Sequence, residues 1–72
     1  MNKSILPPEL QVIEFPDWVS WLAQDADGAW WGYEVEPLLH DNGWYENELG
    51  RHIGVLTALP CEDWRERLVR VK

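Results

Sequence analysis

Residues 18–36 read WVSWLAQDADGAWWGYEVE, and the architecture of the chain turns on how they pair. Two runs rich in aromatic and β-branched residues, 18–25 and 29–36, flank Asp25-Ala26-Asp27-Gly28. Such runs suit a pleated, half-buried surface. Asp at the start of the spacer bonds backbone donors two residues on, and Gly at its end takes the left-handed conformation that follows a tight turn. The pattern predicts an antiparallel hairpin whose last pair is Asp25 with Gly28. Leu22 then faces Trp31, Ser20 faces Tyr33 and Trp18 faces Val35, and this mostly apolar face is the expected core. The opposite face carries Val19, Trp21, Ala23, Trp30, Gly32, Glu34 and Glu36. There the Trp21 ring is expected to cover the bare backbone of Gly32.

Outward from the hairpin the signals are shorter. Upstream, LQVIEF (10–15) reads as a strand stopped by Pro16. Residues 1–9, with the Pro7-Pro8 pair, read as a flexible tail ahead of a single small domain spanning 10–72. Downstream, Glu36-Pro37 ends the second run, and Asp41-Asn42-Gly43 is a strong turn signal leading into GWYENEL. A further strand centres on Ile53–Thr57 and closes at Pro60. In CEDWRERLVRVK, Trp64, Leu68 and Val71 have helical spacing, while Arg67 to Val71 alternates like a strand. The expectation is a helical turn near 61–66 followed by an extended segment docking on the sheet. The fold class is therefore mainly β, a small antiparallel sheet of three to five strands on the 18–36 hairpin with a short C-terminal helical turn. A longer C-terminal helix would make it α+β.

A chain of 72 residues buries only about 60% of its unfolded surface, so its core is thin. Cys61 is the single cysteine, which excludes an intramolecular disulfide and a Cys-rich zinc site. Six tryptophans remain as the source of stability. Each removes roughly 150–250 Å² from water when buried, so core filling is their plainest role. No apolar run is long enough to cross a membrane, and MNKSILPPEL lacks the apolar stretch of a secretory signal. The expected setting is cytoplasmic.

Charge is unevenly spread. Between Ser4 and Gly50 there are ten acidic residues and no Lys or Arg, whereas the last 22 residues hold five basic residues against three acidic ones. The net charge of −7 disfavours nucleic acid and anionic membrane as partners and favours a basic protein. Solubility alone is the plainer use of such charge. Ranked along one surface, the same carboxylates would mimic the phosphates of a nucleic acid and block a host DNA-binding protein.

Few residues point to chemistry. With Gly28 in the sixth position of a calcium loop, Asp25, Asp27 and Glu34 fall at liganding positions. Ala23 in first position supplies no carboxylate, and strand signals flank the loop where helices belong, so a turn is the better reading. His40, His52 and Cys61 match no zinc signature in their spacing. Glu34 and Glu36 lie about 7 Å apart on one face of a strand, a spacing any acidic strand offers. No catalytic residue, metal site or cofactor is expected, and the chain reads as non-enzymatic.

The hairpin face that carries Trp21 and Trp30 is the candidate binding surface. Rimmed by Glu34 and Glu36, and joined by Trp44, it would take a Lys- or Arg-bearing protein segment through ion pairs and cation–π contacts. The partner would be a host or phage protein, or a second copy of the chain. PDWVSWLAQDADGAWWGYEVEP, the following GWY and the terminal P-x-x-DWRERLVRV resemble small uncharacterised proteins encoded by tailed bacteriophages and prophages. The resemblance covers roughly residues 16–69 and lies in an AQD-x-DG-x-WW hairpin and a closing Asp-Trp-x-x-x-Leu. It implies a phage or prophage origin and a cytoplasmic setting in a bacterial host. It carries no catalytic residue with it.

Overall fold

The computed structural model describes residues 6–46 and 49–72. Among the described residues six strands are formed: β1 (Trp21–Gln24), β2 (Ala29–Tyr33), β3 (Leu38–His40), β4 (Gly43–Tyr45), β5 (His52–Thr57) and β6 (Leu68–Arg70). Four of them make an antiparallel sheet in the order β5-β2-β1-β6, and β3 and β4 form a separate hairpin. The expected mainly β architecture is present. So is the C-terminal arrangement: a single 3-10 turn at Trp64–Glu66, then β6 laid along β1 as the sheet's edge.

The β1–β2 turn is one residue longer than expected. The Gly28 N–H donates to the Asp25 carbonyl at 3.0 Å, but the Asp25 N–H donates past it to the Ala29 carbonyl at 2.8 Å. Asp27 Oδ1 accepts from the Ala29 N–H at 3.0 Å. This is a three-residue loop ending in a glycine bulge, with Gly28 at φ 96°. A Cβ there would lie 2.1 Å from the Ala58 carbonyl oxygen, and the Ala58 N–H donates to Gly28 O. Glycine is required both for its dihedral and for this close approach.

One residue of slip moves every side chain of one strand to the other face. Leu22 opposes Gly32 instead of Trp31, Trp21 opposes Tyr33, and Gln24 opposes Trp30. The expected core face is therefore corrected. Leu22 and Trp30 share one side of the sheet, and Trp21, Ala23, Trp31 and Tyr33 share the other. Gly32 is covered by the Val19 methyls, each 3.0 Å from where a Cβ would stand, and not by the Trp21 ring.

Both sides are covered. On the first, Leu22 and Trp30 pack with Val19, Leu6 and Leu10 into the buried core. β5 contributes a second bulge: Trp30 opposes Leu56 while Trp31 opposes Gly54, so Val55 is the extra residue. Val55 and Leu56 both pack against the core in consequence. The N-terminal segment supplies the lid. Pro7 is extended and Pro8–Leu10 forms a 3-10 turn that presents Leu10 inward. Two expectations change here. Leu6 is 3% exposed, so the packed domain begins before residue 10. Residues 10–15 form no strand, because the turn consumes Leu10 and leaves Val12 in solvent. The remainder of the expected tail, residues 1–5, lies outside the described residues.

On the second side, Ala23 and Tyr33 are buried beneath the β3–β4 hairpin and the C-terminal 3-10 turn, whose own Trp64 is buried with them. The hairpin turns at Asp41-Asn42, with His40 opposite Gly43 as the Asp-Asn-Gly signal led one to expect.

Candidate functional site

The five residues expected to form one surface are dispersed. Trp30 is fully buried in the core, because the glycine bulge turns it away from Trp21. Its indole N–H donates to Glu9 Oε2 at 3.3 Å. Trp21 is half-buried on the other side, with the Arg70 guanidinium carbon 5.5 Å from its ring centroid. Glu34 lies just past β2, where Arg51 grips both carboxylate oxygens: Nε to Oε1 at 3.2 Å and an Nη to Oε2 at 3.0 Å. The Arg51 backbone N–H adds a third bond to Oε1 at 3.1 Å. These bonds hold the Glu34 carboxyl at about 2, well below the usual carboxylate range. Glu36 is exposed beyond the strand end, so the two carboxylates do not share a strand face.

Trp44 sits at the wall of an open cleft. Its backbone N–H donates to Asp25 Oδ1 at 2.8 Å, and its indole N–H reaches the Trp64 carbonyl at 3.4 Å. The Tyr33 hydroxyl donates to the Trp44 carbonyl at 3.3 Å. These bonds hang β4 over the sheet without closing on it. Between them lies an open cleft of about 180 Å³, lined by Asp25, Trp31, Tyr33, Trp44, Glu46 and His52. The His52 ring stacks on Tyr33 at 6.4 Å and meets Trp31 at 5.7 Å, tilted by 45°. His52 Nδ1 is 3.9 Å from Glu46 Oε2.

The electrostatics of the cleft are negative. Burial pushes the Tyr33 phenol well above its ordinary value, and the charges of Asp25 and Glu46 push it further. Burial also raises Asp25, partly offset by the hydrogen bond from Trp44 and reinforced by Asp27. Burial, the main cause of both shifts, disfavours charge of either sign, while Asp25, Asp27 and Glu46 add a negative potential.

Sequence reasoning missed Asp25, Trp31, Tyr33, Glu46 and His52 as a group. Trp31 and Tyr33 alternate along β2, so their common face was legible. The partnership with His52 depends on β5 pairing with β2 across a bulge, and that with Glu46 on where the second hairpin docks.

Beside the cleft, the β3–β4 hairpin leaves Leu38, Leu39 and Tyr45 each nearly half exposed. His40 meets the Tyr45 ring edge-on at 5.4 Å. Among the described residues no helix is long and apolar enough to cross a membrane. Compared with protein-family models, with curated proteins and with solved structures, the chain matches none.

Proposed function

We propose that the protein is a non-enzymatic interaction module of phage or prophage type that docks a basic protein segment in the bacterial cytoplasm. The observation that supports this best is the β3–β4 hairpin: three large apolar side chains held in solvent beside an aromatic, acidic cleft. Leu38 and Tyr45 pair across one face of the hairpin and Leu39 lies on the other with Trp44, and large exposed apolar residues on so small a domain mark contact surfaces. Charge selects the partner, because the chain carries −7 overall and its arginines are already engaged internally. Arg51 pairs with Glu34 and Arg67 with Glu9, while Arg65 and Arg70 donate to backbone carbonyls. A mimic of nucleic acid would need its carboxylates ranked along one surface. Glu9 and Glu34 are spent on arginines and Asp25 is turned into the cleft, so the geometry favours the hairpin and cleft over a phosphate-like row of carboxylates as the contact surface.

The test is affinity capture from bacterial lysate, followed by calorimetry with the purified partner, for the native chain and a Leu39→Ser/Tyr45→Ser variant. A basic partner that binds the native chain and binds the folded variant at least about tenfold more weakly would support the proposal. A partner bound equally by both would sink it. So would a stable homodimer that masks the hairpin.

A further inference from the structure

Six tryptophans are divided by their company. Arg51, Arg65, Arg67 and Arg70 place guanidinium carbons 4.5–5.5 Å from the ring centroids of Trp18, Trp64, Trp30 and Trp21 respectively. Each of these four rings thus already has a guanidinium within cation–π distance. Two indoles stand outside this set. Among the described residues no Lys or Arg lies over Trp31 or Trp44, and these two line the same cleft. We infer that this cleft is a receptor for one cationic side chain, a lysine or arginine presented by the partner polypeptide, seated among Trp31, Tyr33 and Trp44 against Asp25 and Glu46.

The inference rests on the interaction reading above and names the anchor of that contact. The volume of about 180 Å³ equals about six waters at bulk density, enough for a butylammonium or guanidinium group and too little for a folded element. Aromatic walls attract the cation through their quadrupoles, and the two carboxylates supply Coulomb attraction in a partly desolvated setting. The negative charges of Asp25 and Glu46 also raise the Tyr33 phenol, and that of Asp27 raises Asp25, in addition to the larger effect of burial. Glu46 and His52 are both partly exposed, so the cleft is open to an incoming side chain without rearrangement of the sheet.

The test is a titration of the isotope-labelled chain with butylammonium, butylguanidinium and the neutral isostere butanol, then with a heptalysine peptide, following the six indole N–H resonances together with the backbone amides. Saturable shifts confined to Trp31 and Trp44, in the millimolar range for the small cations and absent with butanol, are expected. Glu46→Gln, at a partly exposed position that spares the fold, should weaken the small cations by about fivefold. Equal response to butanol, or no saturable shift at Trp31 and Trp44, overturns the cleft assignment. Heptalysine that moves only Leu38, Leu39 and Tyr45 resonances overturns the cleft and leaves the interaction reading standing. Small cations that saturate at the cleft while heptalysine binds nowhere uphold the cleft and count against the interaction reading.

Discussion

The Arg67 guanidinium lies over the Trp30 ring, its carbon 5.0 Å from the centroid. The same group donates to Glu9 Oε2 at 3.0 Å, the oxygen that also accepts the Trp30 indole N–H. Three distant parts of the chain meet in this contact: the N-terminal turn, the central hairpin and the segment leading into β6. It does the work that a disulfide does in many domains of this size.

Arg67→Ala should therefore cost about 2 kcal/mol, since it removes a charge-assisted hydrogen bond and a stacked cation from a half-buried site. Arg67→Lys should cost about half of that, because an ammonium pairs with Glu9 but does not lie flat on the indole. Urea unfolding of both variants measures the difference. A loss below about 0.5 kcal/mol for alanine would place the trio among ordinary surface ion pairs.

Trp30 and Trp21 are adjacent in kind and opposite in consequence. Trp30→Ala empties the centre of the core and should cost about 3–5 kcal/mol, which is the whole stability expected of so small a domain. Trp21→Ala should cost about 1 kcal/mol, since its ring is only half-buried. Circular dichroism at room temperature should show the first variant unfolded and the second folded. Two folded variants would restore the register in which Asp25 pairs last with Gly28 and both rings share the face outside the core.

Gln24 is fully buried, its side-chain amide donating to the Gly28 carbonyl at 3.1 Å and the Leu59 carbonyl at 3.3 Å, while its Oε1 has no partner among the described residues. Gln24→Glu would aim a carboxylate at two carbonyls. The new carboxyl is expected to bind its proton more tightly folded than unfolded, so stability is highest below the unfolded carboxyl range and falls as pH rises through the raised folded value. At neutral pH the loss should exceed about 2 kcal/mol. Thermal melts from pH 4 to 8 test this, and a flat profile would show that water reaches the site.

Glu34 and Asp25 should titrate in opposite directions. Glu34 is held at about 2 by Arg51, so its stabilising contribution is present above the unfolded carboxyl range and is lost as pH falls toward 2. Asp25 is raised by burial, so its contribution is present at low pH and is lost as pH rises through its folded value. Carboxyl-carbon NMR titration should find Glu34 below and Asp25 above the ordinary carboxylate range. Arg51→Ala should raise Glu34 toward that range, stopping short of it because alanine keeps the backbone N–H bond, and should leave Asp25 in place; added salt should narrow the Glu34 displacement because the pair is exposed.

What the sequence determined by itself was local. Alternating aromatic runs about Asp25–Gly28, the Asp41-Asn42-Gly43 turn, the β5 segment, and the 3-10 turn followed by a docking strand near the C-terminus all follow from backbone preferences within a few residues. The length of the first turn was not legible, because Asp25-Ala26-Asp27-Gly28 suits either closure and the choice depends on Ala58 hydrogen bonding across to Gly28. That single residue of slip decided which tryptophan fills the core and which faces the cleft. Only the tertiary structure brought Leu6 and Leu10 over Trp30, carried the C-terminal arginines onto the acidic half of the chain, and set Trp44 and Glu46 opposite His52. These are contacts between segments tens of residues apart, chosen by the burial of apolar area and the pairing of charge, and no local pattern encodes them.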